Sequence, residues 1–384
     1  MKTVSVIEFG AYGDGMHDDF SAFQAAFDCG ADEILIPQGI YCISDTLKIR
    51  SNTTVIADHG AKIAMKSASR RKRGDFLLSN ADVDAGNVNI CIKGGIWDGN
   101  NTSPENAKPD LMDKGGYSGA VLNFVNISGL RLENMVIANS VTYYVRMSQV
   151  QDFTIENIDL VSDLFGANQD GIHVGGGVKR GHIRNVRALS FGQTNDDMIA
   201  LNADEGTGGP ITHIDVDGIY CEDCHSAARL LTVKFPVEHI HITNVHGTFY
   251  QYCIGITKFY KGESEGYYDG ITLDNIYASK AERIPVYGKS PTSYVYPIIY
   301  IENSLHIKHL HIHDLHRREY INPVETLHVG WETTVDHLTL RNITSENHTD
   351  AERVPMWVNR GKVNVIAQEI YEDGEPVAIA SNGG

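Results

Sequence analysis

The sequence predicts an all-β protein, namely a single-stranded right-handed parallel β-helix (a solenoid) with a short N-terminal capping helix. Three features predict this fold: a strand-like phrase that recurs, a recurrence interval near 30 residues, and no convincing amphipathic helix between the copies. The 384-residue chain exceeds the usual domain size of about 150 residues, but solenoids grow by stacking similar units. Because no Pro/Ser-rich linker divides the chain, we expect residues 1–384 to form one domain.

The recurring phrase reads apolar, any, apolar, any, Asn or Asp, apolar, as in Phe153 to Ile158 and Ile240 to Val245. Alternation with period two predicts a short strand with one buried face, and the Asn or Asp predicts the turn that follows. Successive coils of a β-helix would stack about 4.8 Å apart. We interpret the recurring polar residues as structural and not as sugar ligands. They are Asn157, Asn185, Asp217, Asn244, Asn275, Asp314 and Asn342.

Residues 19–29 predict the capping helix, which would cover the open end of the solenoid. Asp18 or Asp19 is a candidate N-cap, and Gly30 is a stop signal. Four apolar side chains between them fall on one helical face, which would pack on the first coil. They are Phe20, Phe23, Ala26 and Phe27.

The charge balance limits the choice of partners. Lys and Arg total 32 against 49 Asp and Glu, so the net charge is −17. Such an acidic protein is not expected to bind nucleic acid or an anionic membrane as its main partner, although a local basic patch could still hold an acidic ligand. No apolar run is long enough for a transmembrane helix. The start does not resemble a signal peptide, so we expect a cytoplasmic protein, or an extracellular one if the start has been trimmed.

Three further patterns have structural interpretations. The six cysteines lack a framework spacing, so we expect reduced thiols, and we interpret Cys221 and Cys224 as small buried hydrophobes and not as a zinc pair. The basic run Arg70 to Arg73 is typical of a solvated loop, one that could reach over a groove. A histidine tract alternates with apolar residues, which favours the outer face of a strand over a metal site. Its members are His306, His309, His311, His313 and His316.

The strongest candidate for chemistry lies between Asn168 and Asn202. Asp170 precedes one strand-like run, and Asp196 and Asp197 precede the next, with 26 residues between Asp170 and Asp196. Because that interval is about one coil, stacking would bring three carboxyls to one edge of the solenoid. Like charges that close raise at least one pKa and contribute nothing to stability. The spacing therefore favours a functional site over three separate turn aspartates.

Cations and imidazoles follow at similar intervals. His173 should point outward beside Asp170, where it could hold a substrate hydroxyl or be an ordinary surface histidine. His225 comes about one coil after the aspartate pair, and Lys258 lies 33 residues after His225. Together with Arg229 they would give an acidic centre a cationic flank. That mixture suggests a sugar site that accepts a carboxylate or a sulfate.

These residues resemble glycoside hydrolase family 28, the polygalacturonases and their relatives, within the pectin-lyase-like β-helix superfamily. Phe9 to Gly15 is similar to the N-terminal entry segment of many β-helix proteins, and Gly94 to Gly99 also resembles family positions. Asn168 to Gly171 matches the family's Asn-Thr-Asp-Gly motif, with Gln169 in place of Thr. Asn195 to Asp197 matches its paired-aspartate motif. These two motifs, in order and one coil apart, are the specific part of the resemblance.

The resemblance implies catalytic roles for all three aspartates. Asp196 would be the general acid, while Asp170 and Asp197 would hold and activate the attacking water. Asn168 in the first motif joins the substrate-binding candidates. An inverting glycosidase needs one protonated and one ionised carboxyl with about 6.5–9.5 Å between them. The reaction needs no cofactor and no metal.

The sequence departs from the family at two motifs. Its Gly-His-Gly motif is absent, and His225 is the best substitute for the histidine. Its Arg-Ile-Lys motif survives only as Ile256, Thr257 and Lys258, so the arginine is missing, although Arg229 could supply a charge from a neighbouring coil. The resemblance therefore supports hydrolysis better than it supports galacturonan specificity.

We accordingly expect an inverting glycoside hydrolase for pectin-type or related oligosaccharides or polysaccharides, with an acidic substrate and exo action as the finer expectation. One alternative is a polysaccharide lyase or epimerase on the same scaffold, in which Asp196 and Asp197 would bind calcium. Another is a non-catalytic carbohydrate-binding protein of the adhesin or phage type. The oligomeric state is left open by the sequence. Loops at Asn100 to Gly116 and Glu282 to Pro297 could close one end of the groove, and Tyr294 and Tyr296 in the second loop are candidate stacking platforms for a sugar, although aromatic residues in loops more often simply pack.

Overall fold

The coils of this protein stack into a parallel β-helix, as predicted. The structure is a computed structural model that describes residues 1–66, 75–102, 119–165, 168–259, 264–284 and 295–382. Within these residues the strands join into one sheet, and every strand pairing is parallel except the terminal one between Tyr371–Glu372 and Glu375–Pro376. Each strand pairs with a strand about one coil away in sequence, which is the arrangement of a solenoid and not of a closed barrel.

The elements are numbered in chain order. A 3₁₀ helix covers Val6–Phe9, and helix α1 covers Phe20–Asp28. The described strands are β1 (Thr3–Ser5), β2 (Asp14–Asp18), β3 (Glu33–Ile36), β4 (Gly39–Ile43), β5 (Leu47–Ile49), β6 (Thr53–Met65), β7 (Leu78–Asn80), β8 (Asn87–Asp98), β9 (Leu122–Ala138), β10 (Val145–Val161), β11 (Ile172–Gly175), β12 (Lys179–Ala188), β13 (Asp197–Asn202), β14 (Ile211–Cys224), β15 (Ser226–Leu231), β16 (Val237–Phe249), β17 (Ile254–Thr257), β18 (Gly266–Lys280), β19 (Ile299–Ile301), β20 (Leu305–Glu319), β21 (Leu327–Val329), β22 (Thr334–Asn347), β23 (Trp357–Asn359), β24 (Lys362–Glu372) and β25 (Glu375–Pro376).

From β11 onward each coil supplies one short strand and one long strand. The short strands β11, β13, β15 and β17 pair in that order, and so do the long strands β12, β14, β16 and β18. In the short ladder Ile172 aligns with Ile199, Ile199 with Ala228, and Ala228 with Ile254. These side chains are fully buried and contribute to one hydrophobic core. Each fully buried isoleucine stabilises the fold by about 1.5–3 kcal/mol.

The recurring asparagines lie at bends within the long strands, which confirms their structural interpretation. Asn157 and Asn185 have φ angles of 57° and 51°, in the left-handed region that Asn tolerates better than most residues. The Asn185 side chain donates to Asn157 Oδ1 at 3.0 Å, and Asn157 donates to Asn134 Oδ1 at 2.8 Å. Equivalent bonds join Asn244 to Asp217 and Asn342 to Asp314. The amides thus link neighbouring coils at a bend in each long strand.

Helix α1 caps the solenoid at the predicted place, but its first turn is held differently from the prediction. Phe23, Ala26 and Phe27 are buried against the core, with Phe20 partly buried beside them. Asp19 precedes the helix without capping it, because its side chain accepts the Tyr12 N–H at 2.6 Å. Asp18 accepts the Phe20 N–H at 3.2 Å instead. Gly30 follows with a φ of 70° and ends the helix.

The six cysteines are free, in agreement with the reduced thiols expected. Cys221 and Cys224 are buried, and burial raises the pKa of the Cys221 thiol well above its ordinary value. The pair therefore acts as small core residues. None of the helices in the described residues has the length and apolar character that crossing a bilayer would require.

The histidine tract lies on β20, where Ile307, Leu310 and Ile312 point into the core. His306 pairs with Asp336 and His309 with Asp269, which confirms an outer strand face. The basic run at 70–73 lies outside the described residues. So does most of the two loops expected to close the groove, including Tyr294, whereas Tyr296 is described.

Candidate active site

The predicted aspartates meet at the edge where the short strands begin. The Gly171 N–H donates to the Asp197 carbonyl at 3.0 Å, and Asp197 aligns with Ser226 in the next coil. The three coils open onto a cavity of about 430 Å³, which lies within the range of about 300–1,000 Å³ typical of ligand sites. The described residues that line it are Tyr143, Asn168, Asp170, His173, Asp196, Asn202, Glu205, His225, Arg229, Gln251, Tyr252, Thr257, Phe259, Tyr296, Tyr300 and Glu302.

A network of side-chain amides holds the two aspartate turns in register behind the cavity. Asn195 Oδ1 accepts the Gln169 N–H at 3.0 Å, and the Asn195 side chain donates back to Gln169 Oε1 at 3.0 Å. Gln169 also donates to the Ser140 carbonyl at 2.7 Å, one coil earlier. These residues are buried. The Gln169 that departs from the family motif therefore ties three coils together beside Asp170 and Asp196.

Asp170 ends a buried chain of carboxylate, imidazole and carboxylate. Its Oδ2 lies 2.6 Å from His173 Nδ1, and His173 Nε2 lies 2.8 Å from Glu205 Oε2. The ring of Tyr143 stacks on the imidazole with centroids 4.0 Å apart. Burial alone would lower the pKa of His173, but Glu205 and Asp170 outweigh it and raise the pKa to about 9. His173 is therefore a cation at neutral pH.

Burial and the nearby Asp196 raise the pKa of Asp170 to about 7, even though the hydrogen bond from His173 opposes the shift. Asp170 is almost fully buried, and its Oδ1 has no hydrogen-bond partner within the described residues. Asp196 also lines the cavity with little exposure. The charge of one carboxyl therefore disfavours ionisation of the other in this buried space. A general acid beside a general base requires that only one of the two carboxyls is ionised.

Asp197 differs from the other two aspartates because its side chain is fully buried behind the cavity and does not line it. Its Oδ2 lies 2.7 Å from Arg229 Nε, and its Oδ1 accepts a hydrogen bond from the Ser226 hydroxyl. Burial would lower the pKa of Arg229, but Asp197 reverses this and raises it. The guanidinium is thus a fixed cation that spans from Asp197 to the cavity wall.

His225 reaches the pair from the following coil, as the spacing predicted. Its Nδ1 lies 3.5 Å from Asp196 Oδ1, 3.6 Å from Asp197 Oδ1 and 3.2 Å from Ser226 Oγ. Ligand atoms of Asp196, Asp197 and His225 lie within 4.8 Å of one another, so this group could hold a metal ion. The lyase alternative placed calcium on Asp196 and Asp197, and the structure adds His225 to that group. Any bound cation would share Asp197 with Arg229.

The structure brings seven of the eight predicted site residues together. Six of them line the cavity, including the half-buried Asn168, and the seventh, Asp197, contacts Arg229. Lys258 is the exception. It follows β17 between two cavity residues, Thr257 and Phe259, but is not among the described residues that line the cavity. Its backbone N–H donates to Glu302 Oε2 at 2.6 Å, so a carboxylate accompanies this position.

Sequence reasoning missed Glu205, Asn202 and two of the three tyrosines of an aromatic wall, of which only Tyr296 was a candidate. Glu205 lies in the turn after β13, where no repeat position marks it. Asn202 ends β13, fully buried, with neither side-chain amide atom hydrogen-bonded within the described residues. An aromatic wall is formed by Tyr252, Tyr296 and Tyr300, with ring centroids 5.0 to 5.9 Å apart. Tyr143 also lines the cavity, and its position could have been inferred from the sequence because it lies 30 residues, about one coil, before His173.

A family model and several known proteins resemble this chain. A family model described as rhamnogalacturonase A/epimerase, pectate lyase-like, matches residues 3–108. A preneck appendage protein of Bacillus phage PZA is 31% identical over 157 residues, covering 41% of this chain and 16% of that protein. An Arabidopsis thaliana protein named "Probable polygalacturonase" is 26% identical over 299 residues, covering 72% of this chain and 59% of that protein. The chain thus matches less than two thirds of the length of either relative.

The solved exopolygalacturonase of Thermotoga maritima superposes with a TM-score of 0.59 at 15% identity, covering 97% of this chain and 92% of that one. At that identity the superposition demonstrates the fold alone. The family model and the plant relative add a resemblance at the level of sequence. The chain therefore has a parallel β-helix fold and resembles the pectin-lyase-like proteins, among them the polygalacturonases of glycoside hydrolase family 28.

Proposed function

We propose that this protein hydrolyses a glycosidic bond of an oligosaccharide or polysaccharide with inversion at the anomeric carbon. The observation that carries the proposal is the pair Asp170 and Asp196, two buried carboxyls that line one cavity, where Asp196 contributes to the raised pKa of Asp170. Inverting hydrolysis uses one protonated carboxyl on the leaving oxygen and one ionised carboxyl that activates water on the opposite side of the sugar.

The neighbours of the two carboxyls divide these roles. His173, a cation, donates to Asp170 and favours its ionised form. In the proposed reaction Asp196 is the acid that protonates the leaving oxygen, while Asp170, once ionised, takes a proton from the attacking water. Glu205 keeps His173 charged and oriented. Asp197 has a positioning role, since it anchors Arg229 and Ser226 and does not face the cavity.

The test is reducing-end release from a panel of pectic and related oligosaccharides by the wild-type protein and by Asp196→Asn. We expect release by the wild type and a loss of at least about 100-fold in the variant, because a general acid contributes about 10²–10⁴-fold. A wild-type protein that binds an oligosaccharide but releases no reducing ends from it would overturn the proposal. The panel should include acidic oligosaccharides, and the products should be examined for exo action, because both are the finer expectations for this protein.

A lyase is the second candidate, because Asp196, Asp197 and His225 could hold a metal ion. Elimination would give an unsaturated product that absorbs in the near ultraviolet, and the reaction would stop when a chelator removes the ion. Hydrolysis gives no such absorption and should be unaffected by the chelator. Recording absorbance and reducing ends together, with and without chelator, separates the two reactions.

A non-catalytic role in carbohydrate binding is the remaining alternative, and part of the chain is 31% identical to a phage appendage protein. Such a protein would have no reason to bury Asp170 and Asp196 in one cavity, since close carboxyls destabilise a fold. Product release by the wild type, absent in Asp196→Asn, would exclude this alternative.

A further inference from the structure

The charged groups of the cavity are predominantly acidic. Within the described residues, five carboxyls lie in or directly behind it: Asp170, Asp196, Asp197, Glu205 and Glu302. The opposing cations are Arg229 and the imidazoles of His173 and His225. Even with both imidazoles charged and one proton shared between Asp170 and Asp196, the carboxylates outnumber the cations by one. A substrate carboxylate would add a further negative charge to this enclosed space.

Each described cation that lines the cavity already lies beside a carboxylate of the protein. Arg229 lies 2.7 Å from the fully buried Asp197, and His173 lies between Asp170 and Glu205. Position 256, where the family resemblance places an arginine, is a buried core isoleucine. Lys258 does not line the cavity, whereas Glu302, which accepts its backbone N–H, does.

The remaining polar surface matches hydroxyl groups. Asn202 is fully buried and lines the cavity, and both its amide nitrogen and its carbonyl oxygen lack a hydrogen-bond partner within the described residues. An amide offers one acceptor and two donor hydrogens, so it can bond a sugar hydroxyl in either direction, whereas a carboxylate only accepts. Tyr252, Tyr296 and Tyr300 add aromatic surface on the opposite wall, suitable for the C–H faces of a sugar ring.

We propose that the sugar unit held over Asp170 and Asp196 is neutral and not a uronate, and that Asn202 hydrogen-bonds its hydroxyls. This inference rests on the proposed function, because it names the substrate class of the same cavity. It replaces the acidic substrate expected from the resemblance with one that fits the charges of the described residues.

The test uses a glycan array of matched pairs, each a uronate oligosaccharide and its carboxyl-reduced form, in which a primary alcohol replaces the carboxylate and ring and linkage stay the same. Asp196→Asn serves as the probe protein because it binds without cutting. We expect the neutral member of a bound pair to bind at least about tenfold more tightly, because a charge buried without a partner is costly. Tenfold tighter binding of the uronate member, or binding of neither class, would overturn the inference.

Two further substitutions in the Asp196→Asn background sharpen the result. Asn202→Ala should weaken binding of the neutral glycan by about tenfold, as expected for the loss of one or two buried hydrogen bonds. Glu302→Gln should improve binding of the uronate member relative to its neutral partner by about threefold or more. Asp215→Asn, an equal charge change at an exposed position outside the cavity, is the control. An unchanged ratio in Glu302→Gln would contradict the electrostatic argument.

Wild-type protein separates this inference from the proposed function. If the neutral glycan binds and is cut, both stand. If it binds and stays intact, the neutral-sugar inference is supported while hydrolysis is overturned.

Discussion

The outer face of the long strands and the edge of the short strands use the same coil spacing with opposite electrostatic results. On β10 and β12, Asp152 pairs with Arg180 and Asp159 with Arg187, each 28 residues and one coil apart, at the surface. The hydrogen bond from Arg180 lowers the pKa of Asp152. At the short strands, stacking instead places Asp170 beside Asp196 in a buried cavity, and the pKa of Asp170 rises.

The two regions differ in the group that stacking places next to a carboxylate: an arginine on the long strands, and a second carboxyl at the edge of the short strands. A paired, hydrated carboxylate costs the fold little and contributes little, because exposed ion pairs contribute about 0–1 kcal/mol. A buried, incompletely compensated cluster persists at a cost to stability, which is typical of functional sites.

Removing the acid should have the largest effect. Asp196→Asn should lower kcat by about 10²–10⁴-fold, because the amide cannot donate a proton to the leaving oxygen. Asp152→Asn, the same change in the long-strand region, should leave kcat within about twofold, since exposed pairs contribute little. Steady-state kinetics on both variants, with circular dichroism to confirm folding, gives the comparison. Near wild-type turnover in Asp196→Asn would show that another group is the acid.

Breaking the two kinds of arginine pair should separate the regions by stability. Arg229→Met leaves the fully buried Asp197 without its cation and should lower the free energy of unfolding by about 3–5 kcal/mol. Arg187→Met breaks a surface pair with Asp159 and should cost about 0–1 kcal/mol. Equilibrium denaturation in urea measures both. Equal losses would mean that Asp197 is hydrated or otherwise compensated.

The pH dependence of stability should have opposite signs in the two regions. The pKa of Asp170 is raised to about 7, so its stabilising contribution is complete below its ordinary pKa of 3.8 and is lost as pH rises through 7. The raised pKa of His173, about 9, acts in the same direction from 6.5 upward. The lowered pKa of Asp152 gives a contribution that is present above 3.8 and lost as pH falls through the lowered pKa.

Unfolding free energies of the wild type should therefore contain a term that declines between pH 4 and 7, by up to about 1.4 kcal/mol per pH unit, and that Asp170→Asn removes. Asp152→Asn should change the profile only at acidic pH. An identical pH 4–7 slope in the wild type and Asp170→Asn would mean that Asp170 has an ordinary pKa in the folded protein.

The smallest effect is expected at the recurring asparagines, whose side chains hydrogen-bond from one coil to the next. Asn185→Ala removes one side-chain bond between coils and places alanine at a φ of 51°, which should cost about 1–2 kcal/mol. Asn185→Gly, which tolerates that φ, should cost less because only the hydrogen bond is lost. Thermal unfolding compares them. Equal losses would assign the whole effect to the amide bond.

The fold and the aspartate cluster were predictable from sequence because stacking converts a sequence interval into a distance. Intervals near one coil identified the turns at Asn157 and Asn185 and the meeting of Asp170 with Asp196. The same reasoning failed where a side chain lies off the ladder. Glu205 sits in a turn whose length varies between coils, so its contact with His173 has no periodic signal.

The interval also predicts proximity without predicting direction. Lys258 occupies its expected coil, yet it is Thr257 and Phe259 that line the cavity. Asp197 follows Asp196 directly and points to Arg229 behind the wall, because successive residues of a strand face opposite sides. Asp19 lies at the predicted helix start but bonds to Tyr12, a tertiary contact that local capping rules do not include.

Proton NMR of the product during early turnover tests the central claim most directly. Water activated by Asp170, opposite a leaving group protonated by Asp196, should release a sugar of inverted anomeric configuration before mutarotation scrambles it. A product of retained configuration would require a covalent intermediate and would contradict the roles assigned to Asp170 and Asp196.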